Sequence, residues 1–287
     1  MQCALKRNAR SDALLLIAQV AALWPVWTWY VTRMTDGSDE PWGVLALIAA
    51  VALAVFKYED APAAERAPLL WTACLSMLGY VALVFAGAAP LLRALVGVTA
   101  LACTAIAVCG IRRYAPVIIG LALLSLPVLA SLQFYGGYAL RLLTTSIGSG
   151  ILQVFGMDVA HLGTTMTWHG TTVLVDAPCS GVRMLWTATF LLCVLWMQRP
   201  SVNWRAFVLS LIAVVPIVIV GNALRAAGLF WVATRTTGTT AVHELIGVVA
   251  FVVVGVSILG IQAMLANRFR NRCGLSGYRT FGNGRLR

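Results

Sequence analysis

Long apolar runs separated by short, often basic loops leave this chain few architectures. In hydrocarbon every backbone N–H and C=O must be satisfied by the spanning segment itself, so crossing segments are helices or parts of a closed barrel. A helical crossing takes about twenty predominantly apolar residues. Runs of that kind cover about 12–31, 42–56, 69–88, 91–110, 115–134, 180–197, 206–229 and 243–266. With 60% hydrophobic and 11% charged residues, the 287-residue chain carries far more apolar sequence than a soluble domain of that size needs. The expected fold is therefore an all-α polytopic membrane protein of about eight transmembrane helices.

The interruptions carry the remaining organisation. Lys6, Arg7 and Arg10 precede the first run, and Trp24, Trp27, Trp29 and Tyr30 form an aromatic belt at its far end. Because a basic start leads into a full-length run, that run is expected to be retained and not cleaved as a signal peptide. Asp36, Asp39 and Glu40 make a short acidic loop, and Pro127 is a candidate kink in the fifth run. After Gln133 the texture changes. Residues 135–157 mix apolar positions with Arg141, Ser146, Ser149 and Gln153, which predicts an amphipathic helix at the surface or packed over the bundle. Residues 158–176, rich in Thr, Val, Gly and His, predict a β-hairpin. The expected division is an N-terminal bundle of five spans (1–134), an outward-facing amphipathic helix and hairpin (135–178), a three-span region (179–266) and a basic tail (267–287).

A net charge of +11 is of the kind nucleic-acid binders carry, but the basic residues lie between apolar runs and not on a soluble domain, so the partner they imply is the lipid bilayer. Eight crossings put both termini on one side. That side receives fifteen Lys and Arg, and the other receives Arg33, Arg93, Arg141, Arg183, Arg225 and Arg235. Basic residues accumulate in the cytoplasm, which predicts cytoplasmic termini and turns residues 135–179 outward. The seven cysteines show neither CxxC nor metal-ligand spacing, and no metal or cofactor is implied.

Chemistry concentrates at the outer ends of the last three runs. In Ala-Pro-Cys-Ser-Gly-Val-Arg (177–183), Pro178 opens the sixth run and puts Cys179 at a helix mouth, where unpaired N–H groups and the helix dipole favour an anion. The thiolate is the nucleophilic form of cysteine. The alternative is a small buried hydrophobe that happens to precede a helix. Ser180 and Gly181 leave room beside the sulfur for a substrate backbone. Arg183, one helical turn beyond Cys179, supports the thiolate, binds a carboxylate, or pairs with Asp176. Arg225, in Gly-Asn-Ala-Leu-Arg, lies about a turn inside the seventh run, where a charge is costly unless functional or snorkelling to the headgroups. His243 begins the eighth run as a candidate general base or an interfacial cap. His161 and His169, in the predicted hairpin, are alternative bases.

Ala-Pro-Cys-Ser-Gly-Val-Arg, Gly-Asn-Ala-Leu-Arg and His-Glu, in that order in the last third of a multispan chain, resemble the exosortase/archaeosortase family. The resemblance implies a membrane-embedded cysteine transpeptidase. Such an enzyme acts on exported proteins ending in a C-terminal sorting signal: a short motif of PEP-CTERM type, a transmembrane helix and a basic tail. It cleaves near the motif at the outer face of the inner membrane and passes the protein to an acceptor, often tied to exopolysaccharide. Carried onto this chain, it makes Cys179 the nucleophile, Arg225 the transition-state stabiliser and His243 the acid/base, with Arg183, Asn222 and Ser180 on the substrate side. The Ala-Pro ahead of Cys179 and the His-containing hairpin depart from the family's pattern and leave the recognised sorting motif undefined.

Two other classes compete. An anion or small-molecule transporter would use Arg183 and Arg225 for its substrate, but such proteins more often carry broken spans in corresponding halves and charges near the midplane. A thiol redox protein needs a resolving cysteine close by, and Cys193, fourteen residues on, is about 20 Å away along a helix.

Overall fold

A computed structural model of the chain describes residues 9–35, 37, 41–59, 62–176, 179–235 and 240–278. The acidic loop (36, 39, 40), Lys6 and Arg7, the predicted helix-opening Pro178 and the tail arginines 279, 285 and 287 lie outside the described residues. The chain forms two compact units, Met1–Ala130 with Trp196–Val202, and Ser131–Leu195 with Asn203–Arg287.

The first unit contains α1 (Ala9–Ala22), α2 (Trp24–Thr35), α3 (Gly43–Phe56), α4 (Ala63–Phe85), α5 (Pro90–Cys109), a single 3-10 turn (Arg112–Tyr114) and α6 (Ala115–Leu124). Helix α5 is its axis and touches α1, α2, α3, α4 and α6. Small residues allow this: a Cβ on Gly97 would sit 2.7 Å from Leu23 and 3.3 Å from Tyr80, so only glycine lets the neighbours in. Pro90 occupies the first turn of α5, where a missing N–H costs nothing, and Gly110 ends the helix in the left-handed conformation at φ 68°. The predicted first span is two helices bent by 61° at buried Leu23. Pro25, in the first turn of α2, lacks the N–H a continuous helix would use. Asp12 of α1 pairs with Arg66 of α4, and Glu59 pairs with Arg113, tying segments of this unit together.

The second unit holds α7 (Leu129–Val154), β1 (Ala160–Leu162), β2 (Thr165–Trp168), β3 (Thr171–Leu174), α8 (Val182–Met197), α9 (Trp204–Arg235) and α10 (Thr240–Tyr278), α7 and α8 each running a residue or two past its boundary. The predicted fifth span, 115–134, is not one helix: α6 stops at Leu124 and α7 starts at Leu129, with Pro127 in the break. The predicted amphipathic helix is not a separate surface element either. It is most of the 26-residue α7. Its polar residues divide, with Thr144, Thr145 and Ser149 buried and Ser146 and Gln153 exposed alongside Tyr138 and Leu143. The buried hydroxyls are satisfied by the helix's own carbonyls and by neighbouring side chains.

The segment predicted as a hairpin forms a three-stranded antiparallel meander in the order β1-β2-β3. Trp168 pairs with Thr171 around the two-residue turn His169–Gly170, whose φ values of 47° and 81° are both positive, as a type I′ turn requires. Met166 of β2 is fully buried with Leu152 of α7, Val175, and Ala226, Ala227 and Phe230 of α9. That cluster seats the sheet on α7 and α9, and Cys179 packs against its edge.

Among the described residues, four helices are long and apolar enough to cross a membrane alone, and up to six crossings result if each broken pair is one span. The remaining apolar helices, α3 and α8, have 14 and 16 residues. At about 1.5 Å per residue these are roughly 21–24 Å long, short of a 30 Å hydrocarbon layer.

Candidate active site

Cys179, Ser180 and Gly181 lead into α8. The N–H of Cys179 donates to the carbonyl of Asp176 at 2.9 Å. Helix α8 does not begin at the cysteine. It begins at Val182, with the N–H of Leu185 on the carbonyl of Gly181 at 2.8 Å. Cys179 therefore stands three residues ahead of the helix, and the helical i, i+4 relation expected between Cys179 and Arg183 does not hold. Gly181, at φ 87°, turns the chain from one element into the other. A side chain there is excluded twice, by the left-handed backbone and by Asn222, whose side chain would lie only 3.1 Å from a Cβ at that position.

Three polar side chains hold this loop from behind. The amide nitrogen of Asn222 donates to the carbonyl of Cys179 at 2.8 Å and to the hydroxyl of Thr144 at 2.9 Å. The hydroxyl of Ser180 donates to Oε1 of Gln133 at 2.7 Å. Asn222, Thr144 and Ser180 are all buried, and the cysteine side chain itself is half-buried. Neither Gln133 nor Thr144 stands out in the sequence as a site residue. The usable signal is their spacing: eleven residues are three turns of helix, so both occupy one face of α7.

Arg225 and His243 are brought to one helix interface. Gly221, Arg225 and Gly228 form an i, i+4, i+7 stripe on α9. A Cβ on Gly221 would fall 2.3 Å from Val254, and one on Gly228 would fall 3.3 Å from Ile246, so the stripe faces α10. Arg225, between the two glycines, places its Nε 3.7 Å from the Cβ position of Gly247. On α10, His243, Gly247, Ala250 and Val254 form the reciprocal stripe, with Ala250 and Val254 buried and His243 exposed at the end. Arg225 lies one turn beyond Asn222, so α9 presents its loop-holding amide and its half-buried guanidinium on neighbouring positions.

The other candidates have different surroundings. Arg183 is the second residue of α8 and exposed, and the side chain of Asp176 is exposed. His161 exchanges a 2.9 Å hydrogen bond through Nδ1 with buried Ser149. His169 sits at the apex of the type I′ turn with its ring edge-on to Trp168. His161 thus links β1 to α7, and His169 stands in the turn between β2 and β3. Cys193 and Cys103 are buried within α8 and α5. A cavity of about 270 Å³ lies between α7 and α9, lined by apolar side chains including Leu152, Met157, Leu224 and Trp231, with Arg235 at its margin.

Residues 34–260 match the family model described as transmembrane exosortase (Exosortase_EpsH). The match takes in α3 to α9 and most of α10, and with them Cys179, Arg225 and His243. The chain belongs to the transmembrane exosortase family and is a polytopic membrane protein. No curated protein and no solved structure matches it.

Proposed function

We propose that the chain is a cysteine protease and transpeptidase that cleaves the C-terminal sorting signal of exported proteins at the periplasmic face of the inner membrane and transfers them to an acceptor. The observation that carries this reading is the organisation of one face of the second unit. A loop bearing a half-buried thiol is pinned to α7 and α9, and the next turn of α9 extends a guanidinium toward the α10 stripe that carries a histidine.

The chemistry is acyl transfer. The Cys179 thiolate attacks the carbonyl carbon of the scissile peptide, and the electron pair moves to the carbonyl oxygen. Arg225 holds that developing oxyanion with fixed N–H donors, a contribution of about 3–4 kcal/mol in comparable sites. His243 delivers a proton to the departing amine as the tetrahedral centre collapses to a thioester. The acceptor's nucleophile then attacks the thioester, giving its proton to His243 and returning the thiolate. Arg183, exposed at the start of α8, meets the substrate. Ser180 and Asn222 act on the substrate through the loop they hold.

A substrate that arrives as a transmembrane helix with a basic tail requires an active site at the outer surface, and the excess of basic residues on the side that eight crossings would give both termini supports cytoplasmic termini. The decisive experiment is co-expression with an exported protein carrying a short motif, a transmembrane helix and a basic tail, followed by mass spectrometry of its C-terminus. Loss of the tail with the native chain and its retention with Cys179→Ala are expected. Equal processing by both would remove covalent catalysis through this residue.

A further inference from the structure

We propose that α7 is the positioning element for the nucleophile, with Gln133 and Thr144 holding the Cys179 loop and Gly137 providing the groove that lets Gln133 do so. The inference rests on Cys179 being the nucleophile, as proposed above.

The first support is a count of donors. A primary amide has two N–H bonds, and both hydrogens of Asn222 are used, one on Thr144 and one on the Cys179 carbonyl. A backbone carbonyl only accepts, so it also settles which end of the amide faces the loop. The single hydroxyl proton of Ser180 is likewise used, on Gln133. These side chains have no donor left for a substrate. What they do is fix two consecutive residues, the carbonyl of Cys179 and the side chain of Ser180. The N–H of Cys179 is held in turn on the Asp176 carbonyl at 2.9 Å, so both backbone ends of residue 179 are fixed, and with them the direction in which its Cα–Cβ bond points.

The second support is independent. A Cβ on Gly137, one turn along α7 from Gln133, would lie 2.6 Å from Gln133 Nε2 and 2.8 Å from its Cδ. The glutamine amide is laid flat on its own helix, over a position where any side chain would lift it. Gly137 is buried, and the three atoms nearest its Cβ position all belong to Gln133. Gly137 and Thr144 project from the same face as Gln133, at four and eleven residues' separation. One face of α7 therefore makes both attachments. Gln133 and Thr144 act on the loop's backbone and on its neighbouring side chains, so their effect on reaction is through the placement of the thiol, and a shift of about 1 Å in a reacting group costs on the order of 100-fold.

The test uses the purified full-length protein with a purified substrate, comparing Thr144→Val, Thr144→Ser and Gly137→Ala. Valine keeps the shape of threonine and removes the acceptor, whereas serine keeps the acceptor. Alanine is favoured over glycine inside a helix, so Gly137→Ala should hold or raise the melting temperature while displacing Gln133. The expected result is a fall in kcat of about ten-fold for Thr144→Val and Gly137→Ala at unchanged KM, with Thr144→Ser within about two-fold of the native chain. A native kcat in both impaired variants overturns the inference. So does a rise in KM at constant kcat, which would place these residues against the substrate. If Thr144→Val fails to accumulate in membranes, Gly137→Ala alone decides. Cys179→Ala is run beside them: full processing there sinks the nucleophile assignment itself, whereas an inactive Cys179→Ala with fully active α7 variants sinks only the positioning role.

Discussion

Replacing Gly181 with alanine isolates the joint on which the candidate site turns. Two costs add. At φ 87° an L side chain meets its own backbone, at about 1–2 kcal/mol for a left-handed residue. The new methyl would also stand 3.1 Å from both Cγ and Nδ2 of Asn222, closer than ordinary contact, so that amide must move. Moving it weakens its hydrogen bonds to Thr144 and the Cys179 carbonyl, each about 0.5–1.5 kcal/mol. The sum, about 2–5 kcal/mol, is concentrated on one loop, and the cheapest relief is for that loop to leave Asn222 while the helices stay packed. Processing should therefore fall at least ten-fold with little change in the amount of protein in the membrane, since each 1.4 kcal/mol is about ten-fold in a population. Gly170→Ala supplies the control. Its φ is 81°, yet nothing lies within 4 Å of its Cβ position, so it bears the backbone cost without the collision. Pulse-chase labelling of a co-expressed substrate, normalised to enzyme level, measures both. Native processing by Gly181→Ala, or equal impairment by the two variants, would refute the argument that Gly181 is there to clear Asn222.

Other expectations follow from the same geometry. Cys179→Ala should abolish processing without affecting insertion, whereas Cys103→Ala and Cys193→Ala, buried in α5 and α8, should leave processing within about two-fold, as followed by immunoblot. Arg225→Lys should lose at least about 100-fold despite keeping the charge, because a point charge does not reproduce a planar fork of donors; native kinetics would remove Arg225 from the oxyanion site. A reporter active only in the periplasm should be active when fused after Thr237 and inactive after Val202, and the opposite pattern would turn Cys179 toward the cytoplasm.

How much of this is legible in the residues depends on which force decides each feature. Helices α4, α5, α9 and α10 follow from apolar length, the strongest signal a membrane chain carries. The breaks are written in Pro25 and Pro127, but a window that averages hydropathy passes over both. The third strand is hidden because its turn is His169–Gly170, and histidine is an uncommon occupant of a position that asparagine, aspartate or glycine usually fills. Pro178 suggests a helix starting near Cys179, yet Gly181 in the left-handed region delays it to Val182. The Ser-Gly pair is visible, but what it accommodates, the Asn222 side chain 41 residues later, is not.

The polarity of α7 shows why the supporting half of the site is harder to see in the residues than the thiol, the guanidinium and the imidazole. In water an amphipathic helix turns its polar stripe outward, and residues 135–157 taken that way become a surface element with nothing to support. In this chain part of the stripe turns inward. Ser146 and Gln153 are exposed with Tyr138 and Leu143, whereas Thr144, Thr145 and Ser149 are buried. A buried hydroxyl in such a place must bond to something, since leaving it unsatisfied costs at least about 1–3 kcal/mol. Thr145 and Ser149 donate to the helix's own carbonyls of Arg141 and Ser146, and the sheet and α9 bring in the other partners, His161 for Ser149 and Asn222 for Thr144. At Thr144 the need of α7 for a partner and the need of the loop for fixed attachment meet in one side chain, Asn222. A chain with leucine at 144 would leave one N–H of Asn222 without its acceptor and so loosen the anchor of the Cys179 carbonyl, although residue 144 itself takes no part in the chemistry.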